Sequence, residues 1–239
     1  VYKRQLGGWA ERIYLKPGVH VFKLPAPLTA DDVIGGGCGL FTGFAAVDRS
    51  GLPMGSTVLV QGSGPVGLSA VAMSVLGGAS LVINIGDPVA RLDIARGLGA
   101  DAVLSVDGDT REEREAVIRE LTRGRGVDVG IEASGNPAAV SEGLSLLRDG
   151  GTYVVAGHYT DTGAIPVNPH VDINRKHADI RGQWGTDLGH VYRALQVLAR
   201  HRDRLDMSRI IGGRYPLDQA GQALADVAAL EITKAIIEP

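Results

Sequence analysis

Three glycines in the run Gln61-Gly62-Ser63-Gly64-Pro65-Val66-Gly67 are spaced as G-x-G-x-x-G. The run follows the apolar stretch Thr57–Gln61 and opens one with helical character, which is the setting in which such a run holds a dinucleotide pyrophosphate. Gly62 would make the tight turn, Gly64 would let the backbone approach the phosphates, and Gly67 would let helix and strand pack closely. The helix N-terminus would add free N–H groups and partial positive charge. Two other readings stay open: an ordinary glycine-rich turn, and the similar loop over which methyltransferases bind their methionine-derived cofactor.

The segment Ile83-Asn84-Ile85-Gly86-Asp87-Pro88 comes about 20 residues after the glycines, where an acid would bind the adenosine ribose hydroxyls and repel a 2′-phosphate. Asp87 is the candidate and favours NAD. Gly86 precedes it and Arg91 could receive a 2′-phosphate, so NADP stays open. Asp87 equally suits the N-cap of a helix begun by Pro88. The single cysteine, Cys38, stands among glycines ahead of a helix. It excludes an intrachain disulfide and an all-cysteine zinc site. Taken alone, such a residue is usually a small buried hydrophobe, and a reactive thiol would need an activating base. His20, His170, His177, His190 and His201 are scattered with no helical ligand spacing, and a surface or supporting role is expected of each.

The elements that must position these residues alternate. Strands are expected at 57–61, 80–85, 102–106, 127–132 and 152–156. Helices are expected at 65–76, 90–98, 110–122 and 136–147. That rhythm predicts right-handed βαβ units and a doubly wound parallel sheet. Residues 1–30 read as strand and loop, and one helix is expected from Asp31. After Ile165 the rhythm changes: a short strand at 179–182, an amphipathic helix at 188–201, a helix at 216–230 and a strand at 234–238 either finish the sheet or belong to another domain.

Composition agrees with a packed α/β chain. Of 239 residues, 44% are hydrophobic and 21% charged, which excludes disorder. A net charge of −3 leaves no basic footprint for nucleic acid. The uncharged stretch from Ser50 to Gly86 is cut by prolines and glycines into pieces too short to span a bilayer, so no membrane partner is expected. The polar opening Val1-Tyr2-Lys3-Arg4 is no signal peptide, and the missing initiator Met suits a chain beginning within a longer gene. Sparse cysteine is compatible with a cytoplasmic location.

The motifs converge. Gly7–Arg12, Gly37–Phe44, the glycine run, Gly126–Gly135 and the ending Lys234–Pro239 follow one another in a family order. Together they resemble the C-terminal two-thirds of a zinc-type alcohol dehydrogenase of the medium-chain dehydrogenase/reductase superfamily. The resemblance implies a Rossmann domain at 31–185, preceded at 1–30 by the end of a GroES-like catalytic domain. Residues 186–239 would complete the Rossmann domain or return to the catalytic one. It implies that Cys38 is a zinc ligand in the full-length enzyme and that Thr42 lies beside the nicotinamide. Ser63, Pro65 and Val66 would join the glycines around the pyrophosphate, and Ala133, Ser134, Gly157 and His158 would line the nicotinamide side. Lys234 would reach the pyrophosphate or remain a solvated strand-end lysine. The acid of NAD-preferring members aligns with Gly86, not Asp87.

The implied reaction is hydride transfer between an alcohol, aldehyde or ketone substrate and NAD(P), with dimers or tetramers formed through an edge of the nucleotide domain. The family's other zinc ligands and its proton relay do not match residues here, so the chain is expected to bind dinucleotide but not to turn over alcohol. The alternatives are a zinc-free quinone or enoyl reductase and a non-catalytic dinucleotide-sensing module. Trp184, in Arg181–Asp187, would wall the substrate cleft or pack in the core.

Overall fold

The computed structural model of the chain describes residues 8–239, so the opening residues and Gly7 of the first family segment lie outside it. Six parallel strands form the main sheet: β1 (Thr57–Gln61), β2 (Leu81–Gly86), β3 (Ala102–Ser105), β4 (Val127–Glu132), β5 (Leu147–Val155) and β6 (Asp179–Gly182). Their order is β3-β2-β1-β4-β5-β6. Every residue of β1 is buried, as its unbroken apolar run predicts for a strand covered on both faces. Val60 lies level with Asn84 on one side and Ile131 on the other. Winding reverses between β1 and β4, which opens a crevice at the carboxyl ends of those strands.

The helices cover both faces. They are α1 (Ala30–Ile34), α2 (Cys38–Ser50), α3 (Pro65–Leu76), α4 (Val89–Gly97), α5 (Arg111–Leu121), α6 (Pro137–Leu146), α7 (Leu188–His201) and α8 (Ala220–Ala228). Successive strand residues point to opposite faces. Val58, Val60 and Val82 meet Leu40 of α2, Leu68 of α3 and Leu198 of α7 in one core. Leu59, Ile83 and Tyr153 meet Ile118 of α5 and Leu144 of α6 in the other.

Several expectations are corrected. The helix expected from Asp31 is two helices, broken at Gly35–Gly37, where Gly37 takes φ of 54°. Cys38 is therefore the first residue of α2 rather than a residue before it. Residues 8–29 carry no strand. Pro216–Leu230 is not one helix: a 3-10 turn at Leu217–Gln219 precedes α8. β5 starts at Leu147, five residues early, with a register shift against β4. The C-terminal strands β7 (Gly213–Pro216) and β8 (Ala235–Glu238) pair with each other in a separate parallel sheet and do not extend the main one. α7, by contrast, returns to the main body. Arg193 grips Asp48 of α2 at 2.7 and 2.9 Å and lies 5.3 Å over the Phe44 ring.

At the amino ends of the strands, Asp128 ties β1 to β5. It accepts from the Thr57 N–H at 2.8 Å and pairs with Arg148. Burial alone would raise its pKa, but these hydrogen bonds and the nearby guanidinium outweigh burial and hold it below the ordinary value. A depressed folded pKa means its contribution is complete above the unfolded value of about 3.9 and is lost as pH falls through the folded one. Asp128→Asn should lower stability at pH 7 and flatten the acid limb of stability below about pH 4 in urea melts. An unchanged acid limb would show that other carboxylates govern it.

Candidate functional site

The glycine run sits at the switch point as its spacing predicts. Gly62 takes φ of 115°, and a Cβ there would lie 2.8 Å from the Ala133 carbonyl oxygen. At Gly67 a Cβ would collide with the Gly62 carbonyl, so helix and strand meet at backbone distance. A Cβ on Gly64, in contrast, would meet nothing within 4 Å: that side is open. Gly64 is the N-cap of α3, and no side chain caps this end. α5, α6 and α7 are capped by Thr110, Asn136 and Asp187. The first N–H groups of α3, at Val66 and Gly67, are thus left for an anion. Asn84 anchors the turn from β2, donating to the Val60 and Gly62 carbonyls at 3.0 Å each. Sequence reading missed it, although an Asn inside a buried apolar strand is itself a signal that a nearby backbone needs a donor.

A cleft of about 320 Å³ opens beside the turn. It brings together Gly62, Ser63, Gly64, Asp87, Arg91, Ala133 and Ser134 of the expected residues. Its far side is walled by Arg114 and Glu142, which the sequence did not single out. They form a buried ion pair at 2.9 Å, and Arg114 also donates to the carbonyls of Ser105, Val106 and Asp109. Each is a charged residue inside a helix, 28 positions from the other, and sequence spacing gives no sign that the two meet. Gln61, also unmarked, closes the floor: it donates to the Ala139 carbonyl and accepts from the Tyr153 hydroxyl, each at 2.7 Å.

Asp87 does not cap a helix. α4 begins at Val89 with Pro88 as N-cap and no side-chain cap bond. The Asp87 carboxylate instead accepts from Ser105 Oγ at 2.9 Å and from the N–H groups of Val106 at 2.6 Å and Asp107 at 2.8 Å. The Ser63 hydroxyl donates to the Asp87 carbonyl at 2.7 Å. Arg91 donates to the Ile232 carbonyl at 2.9 Å, while its Nε is buried without a partner. Burial holds its pKa below the usual arginine value.

The ends of β4 and β5 are joined by Glu132, which is fully buried. Its Oε1 accepts from the Ser134 N–H at 2.6 Å, the Ser134 hydroxyl at 2.8 Å and the Gly135 N–H at 2.7 Å. Its Oε2 accepts from the Gly157 N–H at 3.1 Å and lies 3.7 Å from His158 Nε2. His158 Nδ1 is 3.1 Å from Thr162 Oγ1. One carboxylate therefore shapes the loop carrying Ala133 and Ser134 and the loop carrying Gly157 and His158. The only sequence signal was an acid ending an apolar strand.

The remaining candidates gather on the other side of the turn. Gly39 lets α2 rest on the backbone of Pro65 and Val66, where a Cβ would come within 2.9 Å. This sets exposed Cys38 beside the start of α3, with Thr42 one turn on, its hydroxyl donating to the Cys38 carbonyl at 3.0 Å. Lys234 Nζ lies against Gly37 at the start of α2 rather than in the cleft wall. His190 is at the surface end of α7, 2.9 Å from Asp187. Trp184 does not pack in the core: it is 77% exposed, over an apolar groove shared with Tyr159 and Ile180.

The profile of the family described as Zinc-binding dehydrogenase matches residues 65–200, more than half the chain. The chain belongs to that family. It is 35% identical over 238 residues to 5-exo-hydroxycamphor dehydrogenase of Pseudomonas putida, covering 99% of this chain and 65% of that one. It superposes on an alcohol dehydrogenase from Thermotoga maritima with a TM-score of 0.82 and 33% identity, over 89% of this chain and 59% of that one. A Sinorhizobium meliloti protein of the zinc-binding dehydrogenase kind, bound to NADP, matches with a TM-score of 0.78 and 28% identity, over 91% and 62%. The chain thus spans just under two-thirds of the curated relative's length.

The cleft fits the dinucleotide of a zinc-binding dehydrogenase. Open space faces Gly64, the α3 N–H groups are uncapped, and a buried Arg91 Nε awaits an acceptor. Zinc does not fit in the same way. Among the described residues no three His, Cys, Asp or Glu side chains come together as a metal site. Cys38 stands as one potential ligand, and a catalytic zinc needs three from protein.

Proposed function

We propose that this chain is the dinucleotide-binding part of an oxidoreductase that moves hydride between an alcohol or carbonyl compound and NAD(P). The observation that carries the reading is the uncapped start of α3 beneath the Gly62–Gly67 turn, placed where sheet winding reverses. The nicotinamide, when bound, supplies the redox chemistry. The chain binds and orients it. N–H groups of the Gly62–Gly67 loop receive the pyrophosphate, with Pro65 fixing the loop's exit into α3. Ala133, Ser134, Gly157 and His158 wall the nicotinamide end, held in register by Glu132. Thr42 approaches the ring from α2, and Lys234 adds positive charge at that helix's start.

In this reading residues 1–30 end a catalytic domain, 31–185 hold the dinucleotide, and 186–239 complete the body through α7. Cys38 offers one thiol to a zinc ion whose other ligands come from outside the described residues. The outer edge of β6 is free of strands among the described residues and offers an edge for self-association. No described helix is long and apolar enough to cross a membrane.

Calorimetric titration of the 239-residue chain with NADH and with NADPH tests the reading. Saturable binding of at least one is expected. Failure of both, in a chain that melts cooperatively, would remove the dinucleotide reading, and uptake of a sulfonium cofactor in its place would favour a methyltransferase. Dialysis against a chelator should leave dinucleotide affinity unchanged, because the residues lining the cleft bring together no three potential metal ligands among the described residues. A drop in affinity after chelation would show that a metal helps to build it.

A further inference from the structure

The amino ends of β4, β5 and β6, opposite the dinucleotide cleft, border a second cavity of about 620 Å³. Three irregular turns converge on it. The first joins α5 to β4 and fixes Arg125 between Arg123 at φ of 53° and Gly126 at φ of 88°. The second is the shifted start of β5, which carries Arg148 and Asp149. The third leads into β6 and carries Arg175 and Lys176, closed by the His177 N–H donating to the Asn174 carbonyl at 3.1 Å. The Gly150 N–H donates to the Lys176 carbonyl at 2.6 Å and ties the second turn to the third.

The side chains on these turns are one-sided in charge. Arg119, Arg125, Arg148, Arg175 and Lys176 line the cavity, with Asp149 the one acid among the lining residues. Asp128 and Asp172 lie close behind. Five cations thus face three acids, on a chain whose net charge is −3. Three of the five are tied down. Lys176 Nζ donates to the carbonyls of Leu144, Ser145 and Leu147 at 2.6, 3.0 and 3.0 Å. Arg119 donates to the carbonyls of Ser145 and Gly124, and Arg148 pairs with Asp128. Arg125 is 65% exposed and reaches Asp128 at 3.8 Å alone, while exposed Arg175 has no side-chain partner among the described residues. Burial holds the Lys176 pKa below its usual value, and repulsion from Arg119 and Arg175 adds to this against the pull of Asp172 and Asp149.

Cations held together by fixed backbone repel one another, and an anion placed among them relieves that repulsion. Guanidinium forks match carboxylate and phosphate alike. Here the forks come from separate turns, so oxygens pointing in three dimensions satisfy them better than the two coplanar oxygens of a carboxylate. With one water taking about 30 Å³ of liquid, the cavity has room for more than one phosphate. The geometry points to a binding site for a phosphate oligoanion, of which pyrophosphate is the smallest, at the amino ends of β4–β6. Arg125 and Arg175 supply the free donors, and Arg119, Arg148 and Lys176 supply the surrounding field. The site lies at the other end of the strands from the glycine turn, so it stands whether or not a dinucleotide binds.

The test is calorimetric titration of the 239-residue chain with inorganic pyrophosphate at low ionic strength, each sample checked for cooperative melting. Saturable binding is expected. Arg125→Gln and Arg175→Gln should each weaken it about tenfold, the lower end of what a hydrogen bond to a charged group contributes. The two together should remove the site. Arg200→Gln with Arg204→Gln takes the same charge from exposed positions elsewhere and should leave the affinity unchanged. No saturable binding by a cooperatively melting parent chain overturns the proposal. Binding that survives the loss of Arg125 and Arg175 places the anion elsewhere, for instance at the start of α3, and overturns it too. An equal loss in the Arg200 and Arg204 pair reduces the effect to net charge, with the same consequence. Citrate binding as tight as pyrophosphate overturns the choice of phosphate. Tripolyphosphate and ATP then separate two sources of the same chemistry, judged by the binding that the Arg125 and Arg175 pair removes: tighter ATP assigns a nucleotide, and equal affinities assign the free phosphate chain.

Discussion

Gly67→Ala should abolish saturable dinucleotide binding and lower the unfolding free energy by at least about 3 kcal/mol. The added Cβ would collide with the Gly62 carbonyl, and the opposing atoms are backbone on both sides. Neither partner can turn a side chain away, so α3 must move off β1 and carry the phosphate-facing N–H groups with it. Gly64→Ala is the control. Its Cβ meets no protein atom within 4 Å, and its φ of −78° is one that alanine adopts readily. That variant should keep the parent melting temperature but bind dinucleotide more weakly, because the methyl occupies space a pyrophosphate needs. The pair separates the two jobs of the glycine run by one melt and one titration each. A Gly67→Ala protein that melts like the parent would sink the account.

Glu132→Ala should cost about 1–3 kcal/mol, the worth of hydrogen bonds to a charged group, because Ser134 is exposed and Gly135 half-buried, so water reaches the donors left behind. The donors orphaned are the N–H groups of Ser134 and Gly135; Gly157 keeps the Glu132 main-chain carbonyl at 3.0 Å. Against a total stability of about 5–15 kcal/mol this is a large fraction. Glu132→Gln should recover much of the loss, since its amide oxygen can take the Oε1 position while its NH2 faces His158 Nε2, which is buried without a partner. Urea denaturation gives both values, and dinucleotide affinity should fall in the same order because these loops rim the cleft. Alanine and glutamine variants of equal stability would show that water replaces the carboxylate at no cost.

Much of the fold can be read along the chain because its signals are local. Pro65–Leu76, Val127–Glu132 and Leu188–His201 fall where apolar periodicity, Pro at N1 and flanking glycines predict. The failures are as instructive. The helix expected from Asp31 ends at Ile34, because the three glycines at 35–37, with Gly37 at φ of 54°, break the chain before α2 begins. The strand-like residues of 8–29 find no partner strand among the described residues, and β-formers without a ladder do not make a strand.

The same division runs through the site. By sequence alone, the glycine spacing, the strand before it and the helix after it determined a tight strand-to-helix turn, because Gly62 and Gly67 answer steric demands of adjacent backbone. Tertiary structure decided the surroundings. It bonded Asp87 to β3 instead of to α4, joined Arg114 to Glu142 across 28 positions, and placed Cys38 against α3 through Gly39. It also left Arg91 without an acid. Those outcomes depend on which charged groups meet after the chain has folded: a carboxylate serves whichever donors come within reach, and sequence spacing does not carry that distance.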